Sequence, residues 1–151
     1  MRDVAVFGHP SLASVQRLLA DAGLPTDDLT TAHLETFFGL GSPDALEGVV
    51  GLEIFGEAAL LRSLAVTPAQ RSHGLGKLLV KTAERYARTR GAGDIYLLTN
   101  SAERFFADLG YVPADRNSAP ESIRQTREFA ALCPASAAFM VKHCVPGAPA
   151  T

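Results

Sequence analysis

The chain has 151 residues, 47% hydrophobic and 20% charged, with a formal net charge of −2. That is one globular domain's worth of sequence with enough apolar material for a core, and it offers no basic footprint for nucleic acid and nothing that favours a membrane surface. Cys133 and Cys144 have neither partner spacing nor a nearby His pair, which argues against a disulfide framework or a zinc site and suits a reducing cytosol.

In chain order, the opening run from Met1 to Gly8 is too short for a signal peptide, and no stretch nears the ~18 apolar residues of a spanning helix. A cytoplasmic protein is expected. Asp3 to Phe7 reads as a first strand. Pro10 opens a helix to about Ala22, on which Val15, Leu18, Leu19 and Ala22 form an apolar stripe, and Gly23 ends it. Leu24 to Thr31 is a turn-rich connection. His33 to Leu40 is read as a strand, and Gly41-Ser42-Pro43-Asp44 as a turn. Glu47 to Phe55 and Ala58 to Val66 have strand character. Only Gly56-Glu57 separates them, which fits a two-residue hairpin. That register puts Glu53 and Arg62 on one sheet face as diagonal neighbours. A longer turn would flip the parity.

Thr67-Pro68 stops the second of these strands. A glycine-containing loop follows, then a long helix to about Arg90 marked by Leu75, Leu78, Leu79, Ala83 and Tyr86. Gly91 and Gly93 terminate it. Asp94 to Thr99 is a short apolar strand, Ser101 to Leu109 a helix, and Gly110-Tyr111-Val112 leads into another strand. Ser118-Ala119-Pro120-Glu121 resembles a capping box opening a helix to about Leu132. Ser136 to His143 is a final strand. A single domain over residues 1–144 with a flexible tail, 145–151, is expected. The expected architecture is α/β (α+β): a mostly antiparallel twisted sheet of six or seven strands flanked by helices.

The glycine loop carries the chemistry. The first N–H groups of a helix have no intrahelical acceptors, and the helix dipole favours negative charge there. Gly74 and Gly76 remove side chains that would keep a phosphate at a distance. Arg71 stands where a P-loop needs Gly, and Leu78 where it needs Ser or Thr. Leu79 stands where a dinucleotide fingerprint needs Gly. What remains is Arg-x-x-Gly-x-Gly between a strand ending Leu64-Ala65-Val66 and a helix.

This pattern resembles the coenzyme A signature of the GNAT acetyltransferase superfamily. A second stretch, from Ala102 through Arg104-Phe105-Phe106 to Gly110-Tyr111, resembles the later motif of the same superfamily, at a suitable separation. The resemblance implies acetyl-CoA as co-substrate, no metal, and a GNAT fold. It implies that the backbone of Leu64, Ala65 and Val66 pairs with the pantetheine arm. The N–H groups of Arg71, Ser72, His73, Gly74, Leu75, Gly76 and Lys77 then hold the pyrophosphate, and Thr99, Ala102 and Phe106 line the acetyl and thiol end.

The pattern also departs from the family. Phe106 stands where a proton-donating Tyr is usual, and Phe cannot donate. Thr99 replaces a frequent Asn. Water, Tyr111 or Asn100 are the alternatives for protonating the leaving thiolate, as is no dedicated acid at all. Glu53 is the candidate general base: it is the acid within the apolar run Val49 to Phe55, where desolvation would suit it to accept a proton. A Glu53–Arg62 ion pair is the competing reading. His73 reads as a solvated loop residue. His9, His33 and His143 read as surface or strand-end residues, and Cys133 as a small buried hydrophobe.

The C-terminal third, with Arg116, Pro120, Ile123, Thr126, Phe129 and Leu132-Cys133-Pro134, resembles the arsenic-resistance N-acetyltransferases, in which the phenylalanine pair is ordinary. That implies a small-molecule amine or amino-acid analogue as acceptor, of the arsinothricin or phosphinothricin type. Its second anionic group needs cationic partners, and Arg62, Arg116 and Arg124 are candidates, with the role of Ser63 open. By strand alternation Ser63 faces away from Arg62. The alternative for Arg124 and Arg127 is exposed pairing with Glu121 and Glu128. A homodimer is compatible with this reading. Two rival functions stand beside it: a protein or peptide N-acetyltransferase, and a non-catalytic acyl-CoA-binding sensor.

Overall fold

A computed structural model of the protein describes residues 6–24, 26–68, 74–126, 129 and 137–143. The strands are β1 (Val6–Gly8), β2 (Phe37–Ser42), β3 (Ala45–Phe55), β4 (Ala58–Val66), β5 (Asp94–Thr99), β6 (Val112–Pro113) and β7 (Ala138–His143). The helices are α1 (Leu12–Asp21), α2 (Leu75–Thr89), α3 (Glu103–Asp108) and α4 (Glu121–Arg124). The strands form one seven-stranded sheet in the order β1-β2-β3-β4-β5-β7-β6. The β4–β5 pair is parallel, whereas β1–β2, β2–β3, β5–β7 and β6–β7 are antiparallel. The expected mixed, mostly antiparallel α/β sheet is what forms. Contacts divide the chain into two compact units, residues 1–53 with 62–84, and residues 54–61 with 85–151.

In the first unit, α1 starts where Ser11 accepts a hydrogen bond from the Ser14 amide. It stops before Gly23, whose φ of +73° a side chain would resist. Its apolar stripe, Val15, Leu18 and Leu19, packs with Leu29, Leu34, Phe37, Leu46, Val49 and Ala65. The predicted strand from His33 begins late. His33–Thr36 form a 3-10 turn, and the strand runs from Phe37. Side-chain bonds are the cause: the Thr30 amide donates to His33 Nδ1 at 3.1 Å, and the Thr36 hydroxyl donates to the Leu52 carbonyl at 2.5 Å, with the His33 carbonyl a longer second contact at 3.3 Å. Gly41 and Ser42, expected in a turn, are the last residues of β2. Of the residues chosen to mark α2, Leu75, Leu79 and Ala83 are buried, but Leu78 is exposed; Val80 and Ala87 complete the stripe.

The second unit holds the parallel ladder of Ala58–Leu60 with Asp94–Tyr96, and β7 pairs with β5 along its whole length. Gly56, with φ +63°, makes the first residue of the two-residue turn between β3 and β4. The core of this unit is Ala58, Leu60, Tyr96, Ala119, Ile123, Phe139 and Val141, with Tyr96 stacked on Phe139. Of the helix expected from Pro120 to Leu132, Glu121–Arg124 is α-helical, residues 127, 128 and 130–132 lie outside the described residues, and Ser118 does not cap the start. Ser118 instead donates its hydroxyl to the Asp115 carbonyl, and Asp115 accepts from the Asn117 amide, so both serve a preceding 3-10 turn. Residues 1–5, 25, 69–73, 127, 128, 130–136 and 144–151 lie outside the described residues. With them fall the first three residues of the first predicted strand, most of the glycine loop, both cysteines and the tail.

Gly51 pairs with Phe37 across β2 and β3. A Cβ at Gly51 would stand 2.3 Å from the Phe37 ring, which is fully buried. Gly51→Ala therefore forces the ring aside and is expected to cost about 1–3 kcal/mol, read as a lowered urea midpoint. Gly8→Ala, with nothing within 4 Å of the added carbon, is expected to leave the midpoint within experimental error.

Candidate active site

In the first unit Arg62, on β4, has no side-chain exposure. A buried guanidinium needs paired charge and satisfied N–H groups. Both are supplied. Nη2 donates to Asp28 Oδ1 at 2.8 Å and Nη1 to Asp28 Oδ2 at 2.5 Å, a two-pronged fork. Nη1 also donates to Glu53 Oε2 at 2.9 Å, and Nε to Ser63 Oγ at 3.0 Å. The predicted diagonal pairing of Glu53 with Arg62 is present. Ser63, expected to face away from Arg62, does not. Its φ is +61°, an uncommon conformation for a non-glycine residue, and it breaks the strand alternation locally. Arg62 and Ser63 are consecutive and both buried.

Asp28 lies in the connection between α1 and the 3-10 turn, and only 4% of its side chain is exposed. Burial by itself would raise its carboxyl pKa. The Arg62 hydrogen bond and charge overcome that, helped by His33 and by the Asp28 amide, and hold the pKa below the ordinary 3.8. The stabilisation this implies is present above the unfolded-state value and is lost as pH falls through the lower, folded value. His33, expected at the surface or at a strand end, is half-buried in the 3-10 turn that leads into β2. Its Nδ1 accepts from the Thr30 amide, which in the neutral ring leaves the proton on Nε2.

One ligand atom from each of Asp28, His33 and Glu53 falls within 4.8 Å of the others. Such a set suggests a metal on residue type alone. In this cluster the Arg62 guanidinium already provides the cation that both carboxylates contact. Two carboxylates share one guanidinium, so the group carries one surplus negative charge when both acids are ionised. Glu53 is 16% exposed, and its Oε1 has no hydrogen-bond partner among the described residues. The geometry thus presents a carboxylate pinned through one oxygen and open at the other.

The same unit carries Leu64 to Val66 and the start of α2. Ala65 is buried in the core, and Leu64 and Val66 on either side of it are half-buried. The Thr67 amide donates to the Glu47 carbonyl at 2.9 Å, fixing the end of β4. Gly74 has φ +76°, is exposed, and a Cβ placed there would meet nothing within 4 Å. Leu75 anchors the first turn of α2 in the interior, with Gly76 half-buried and Lys77 exposed. Arg71, Ser72 and His73 lie outside the described residues.

The second unit holds the remaining predicted residues. Thr99 Oγ1 accepts the Ala102 amide at 3.0 Å and so fixes the approach to α3. Phe106 is 4% exposed and sits edge-on to both Phe105 and Tyr111. Of the proposed proton donors, Tyr111 is buried and Asn100 exposed. Arg116 donates from Nη2 to the Ala137 carbonyl at 2.8 Å and lies over the Phe129 ring. Arg124 is exposed; its expected partner Glu121 accepts instead from Gln125 at 3.1 Å. Burial, with smaller help from Asp94, raises the Tyr96 hydroxyl pKa above its ordinary 10.0.

Three kinds of comparison with known proteins bear on this site. Residues 12–111 match the model of the Acetyltransferase (GNAT) family. The chain is 29% identical over 92 residues to an uncharacterized N-acetyltransferase of Chlorobaculum tepidum, covering 60% of this chain and 59% of that one. It therefore spans somewhat over half the length of that relative. Among solved structures, N-acetylglutamate synthase of Neisseria gonorrhoeae, complexed with coenzyme A and N-acetyl-glutamate, superposes with a TM-score of 0.78. The identity is 21%, over 95% of this chain but only 36% of the synthase. Rv2747 of Mycobacterium tuberculosis, in a complex containing CoA, gives a TM-score of 0.74 at 20% identity, over 93% of this chain and 99% of that one. No described helix is long and apolar enough to cross a membrane. With two-thirds of its length matching the family model and the fold agreeing, the chain belongs to the GNAT acetyltransferase family.

Proposed function

We propose that this protein transfers the acetyl group of acetyl-CoA to the amine of a small amino-acid-like acceptor, with Glu53 as the general base. The observation that carries the reading is the Glu53 carboxylate, held at Oε2 by a buried arginine and open at Oε1. An incoming ammonium is attracted by the surplus negative charge and gives its proton to Oε1. The amine nitrogen then attacks the thioester carbonyl, the tetrahedral intermediate collapses, and the C–S bond breaks as the nitrogen releases its second proton to solvent, leaving the amide. A coenzyme A thiol has a pKa near ~8.5, so its thiolate leaves with modest help and takes its proton from solvent. Phe106 is then a wall of the acetyl pocket and not an acid.

The family resemblance assigns the cofactor contacts. The backbone of Leu64, Ala65 and Val66 pairs with the pantetheine arm. The N–H groups from Arg71 through Lys77 bind the pyrophosphate, where the open space at Gly74 suits close approach. Thr99, Ala102 and Phe106 face the acetyl end. Arg62 is committed to holding Glu53, with Ser63 as its support, which leaves Arg116 and Arg124 as cationic partners for a second anionic group on the acceptor. A glutamate analogue such as phosphinothricin or arsinothricin meets that description. The synthase that shares the fold was captured with N-acetyl-glutamate, which supports an amino-acid acceptor. A non-catalytic acyl-CoA sensor is the second reading, favoured by Phe106 at the usual tyrosine position.

Thiol release from acetyl-CoA, measured against a panel of amino acids including both glutamate analogues, is expected to give turnover with at least one anionic amino acid. Tight acetyl-CoA binding with no turnover on any amine would favour the sensor. Glu53→Gln is expected to lower kcat/KM about 10²- to 10⁴-fold; wild-type turnover would remove Glu53 as the base. Gly74→Asp adds both a strained backbone and a negative charge beside the pyrophosphate. It is expected to weaken acetyl-CoA binding roughly tenfold or more, measured by titration calorimetry.

A further inference from the structure

We propose that Asp28 is a positioning residue for acetyl transfer: its fork to Arg62 fixes the hydrogen bond from Arg62 to Glu53 Oε2 and keeps Glu53 Oε1 directed to the acceptor amine. This rests on Glu53 being the base.

A single hydrogen bond from a long side chain leaves a carboxylate free to swing about it. The guanidinium is planar, so tying two of its edges fixes the direction of the remaining donor. Asp28 ties Nη1 and Nη2 together, Ser63 ties Nε, and Nη1 is left aimed at Glu53 as well. The fork requires Asp28 to be buried, and a buried carboxylate is costly unless paired. The turn-rich segment does not need Asp28 for its own docking, because the adjacent Leu29 is already packed in the core. The left-handed Ser63 is a second local cost, and it places the hydroxyl on the arginine. Both costs fall on the orientation of Arg62.

Charge gives Asp28 a further part. Arg62 faces two carboxylates, and it makes two bonds to Asp28 against one to Glu53. Asp28 takes the larger share of the guanidinium's charge. The charged and titratable groups of the cluster are Asp28, His33, Glu53 and Arg62, and Asp28 sets the balance between them.

The test compares Asp28→Asn with wild type, using the acceptor that gives turnover. Two quantities are read: acetyl-CoA affinity, and kcat with KM for the amine. The expected result is unchanged acetyl-CoA affinity, KM within about threefold, and kcat lowered about 10- to 100-fold by misplacement of the base. A merely structural ion pair moves folded fraction and affinity but not the split of kcat from KM. Wild-type kcat in folded Asp28→Asn would overturn the proposal while leaving Glu53 as base. Wild-type turnover by Glu53→Gln would instead overturn the base itself. If Asp28→Asn fails to fold, Asp28→Glu serves, since it keeps the charge but shifts the fork. Folded protein with lowered kcat and unchanged KM supports positioning, and wild-type kcat contradicts it.

Discussion

A guanidinium with no exposure cannot be left to itself, and much of the first unit is arranged around that requirement. Arg62 lies on β4, Glu53 on β3 and Asp28 in the connection after α1, so three separate segments close on one charge. Removing water from an ion is expensive, and mutual attraction offsets that cost only when geometry is good and the remaining N–H groups are bonded. In this cluster Nε, Nη1 and Nη2 each have an acceptor. The surrounding core of Val15, Leu18, Leu19, Leu34 and Phe37 gives the connection its apolar anchorage.

The same cluster is joined in sequence to the stretch proposed to hold the pantetheine arm. Arg62 and Ser63 lead directly into Leu64-Ala65-Val66, whose half-buried outer residues and buried centre follow ordinary strand alternation. The irregularity is confined to Ser63. A left-handed residue at this point lets two consecutive side chains serve the acidic cluster before the strand resumes its period. The arginine that holds the proposed base and the proposed cofactor stretch thus share one short run of backbone on β4.

Much of the fold was legible in the residues. The stripe on α1, the Gly56-Glu57 turn and the apolar run Asp94 to Thr99 are local signals, and the elements form where those signals lie. The errors arose where polar side chains compete with the backbone. Thr30 and His33 pair in a 3-10 turn, and Thr36 donates its hydroxyl to the Leu52 carbonyl, which delays β2. Asp115 and Ser118 are consumed by a turn before α4, so the apparent capping box is not used. Leu78 matched the helical period but lies at the edge of the buried stripe, which Val80 and Ala87 complete instead.

For the site, Glu53 and Arg62 could be paired from hairpin register because they are close in sequence. Asp28 could not, because 34 residues separate it from Arg62 and it sits in a segment with no periodicity. Nor does sequence announce a serine at positive φ. The glycine loop was read for a different reason, from a motif of backbone N–H groups and absent side chains, and residues 69–73 of it lie outside the described residues. The most direct measurement is NMR of the Arg62 guanidinium in the acetyl-CoA complex. A guanidinium fixed by Asp28, Glu53 and Ser63 should show separate, slowly exchanging Nη proton signals that correlate with the carboxylate carbons of Asp28 and Glu53. A single averaged Nη signal, with no such correlations, would mean a freely rotating arginine and would contradict the account.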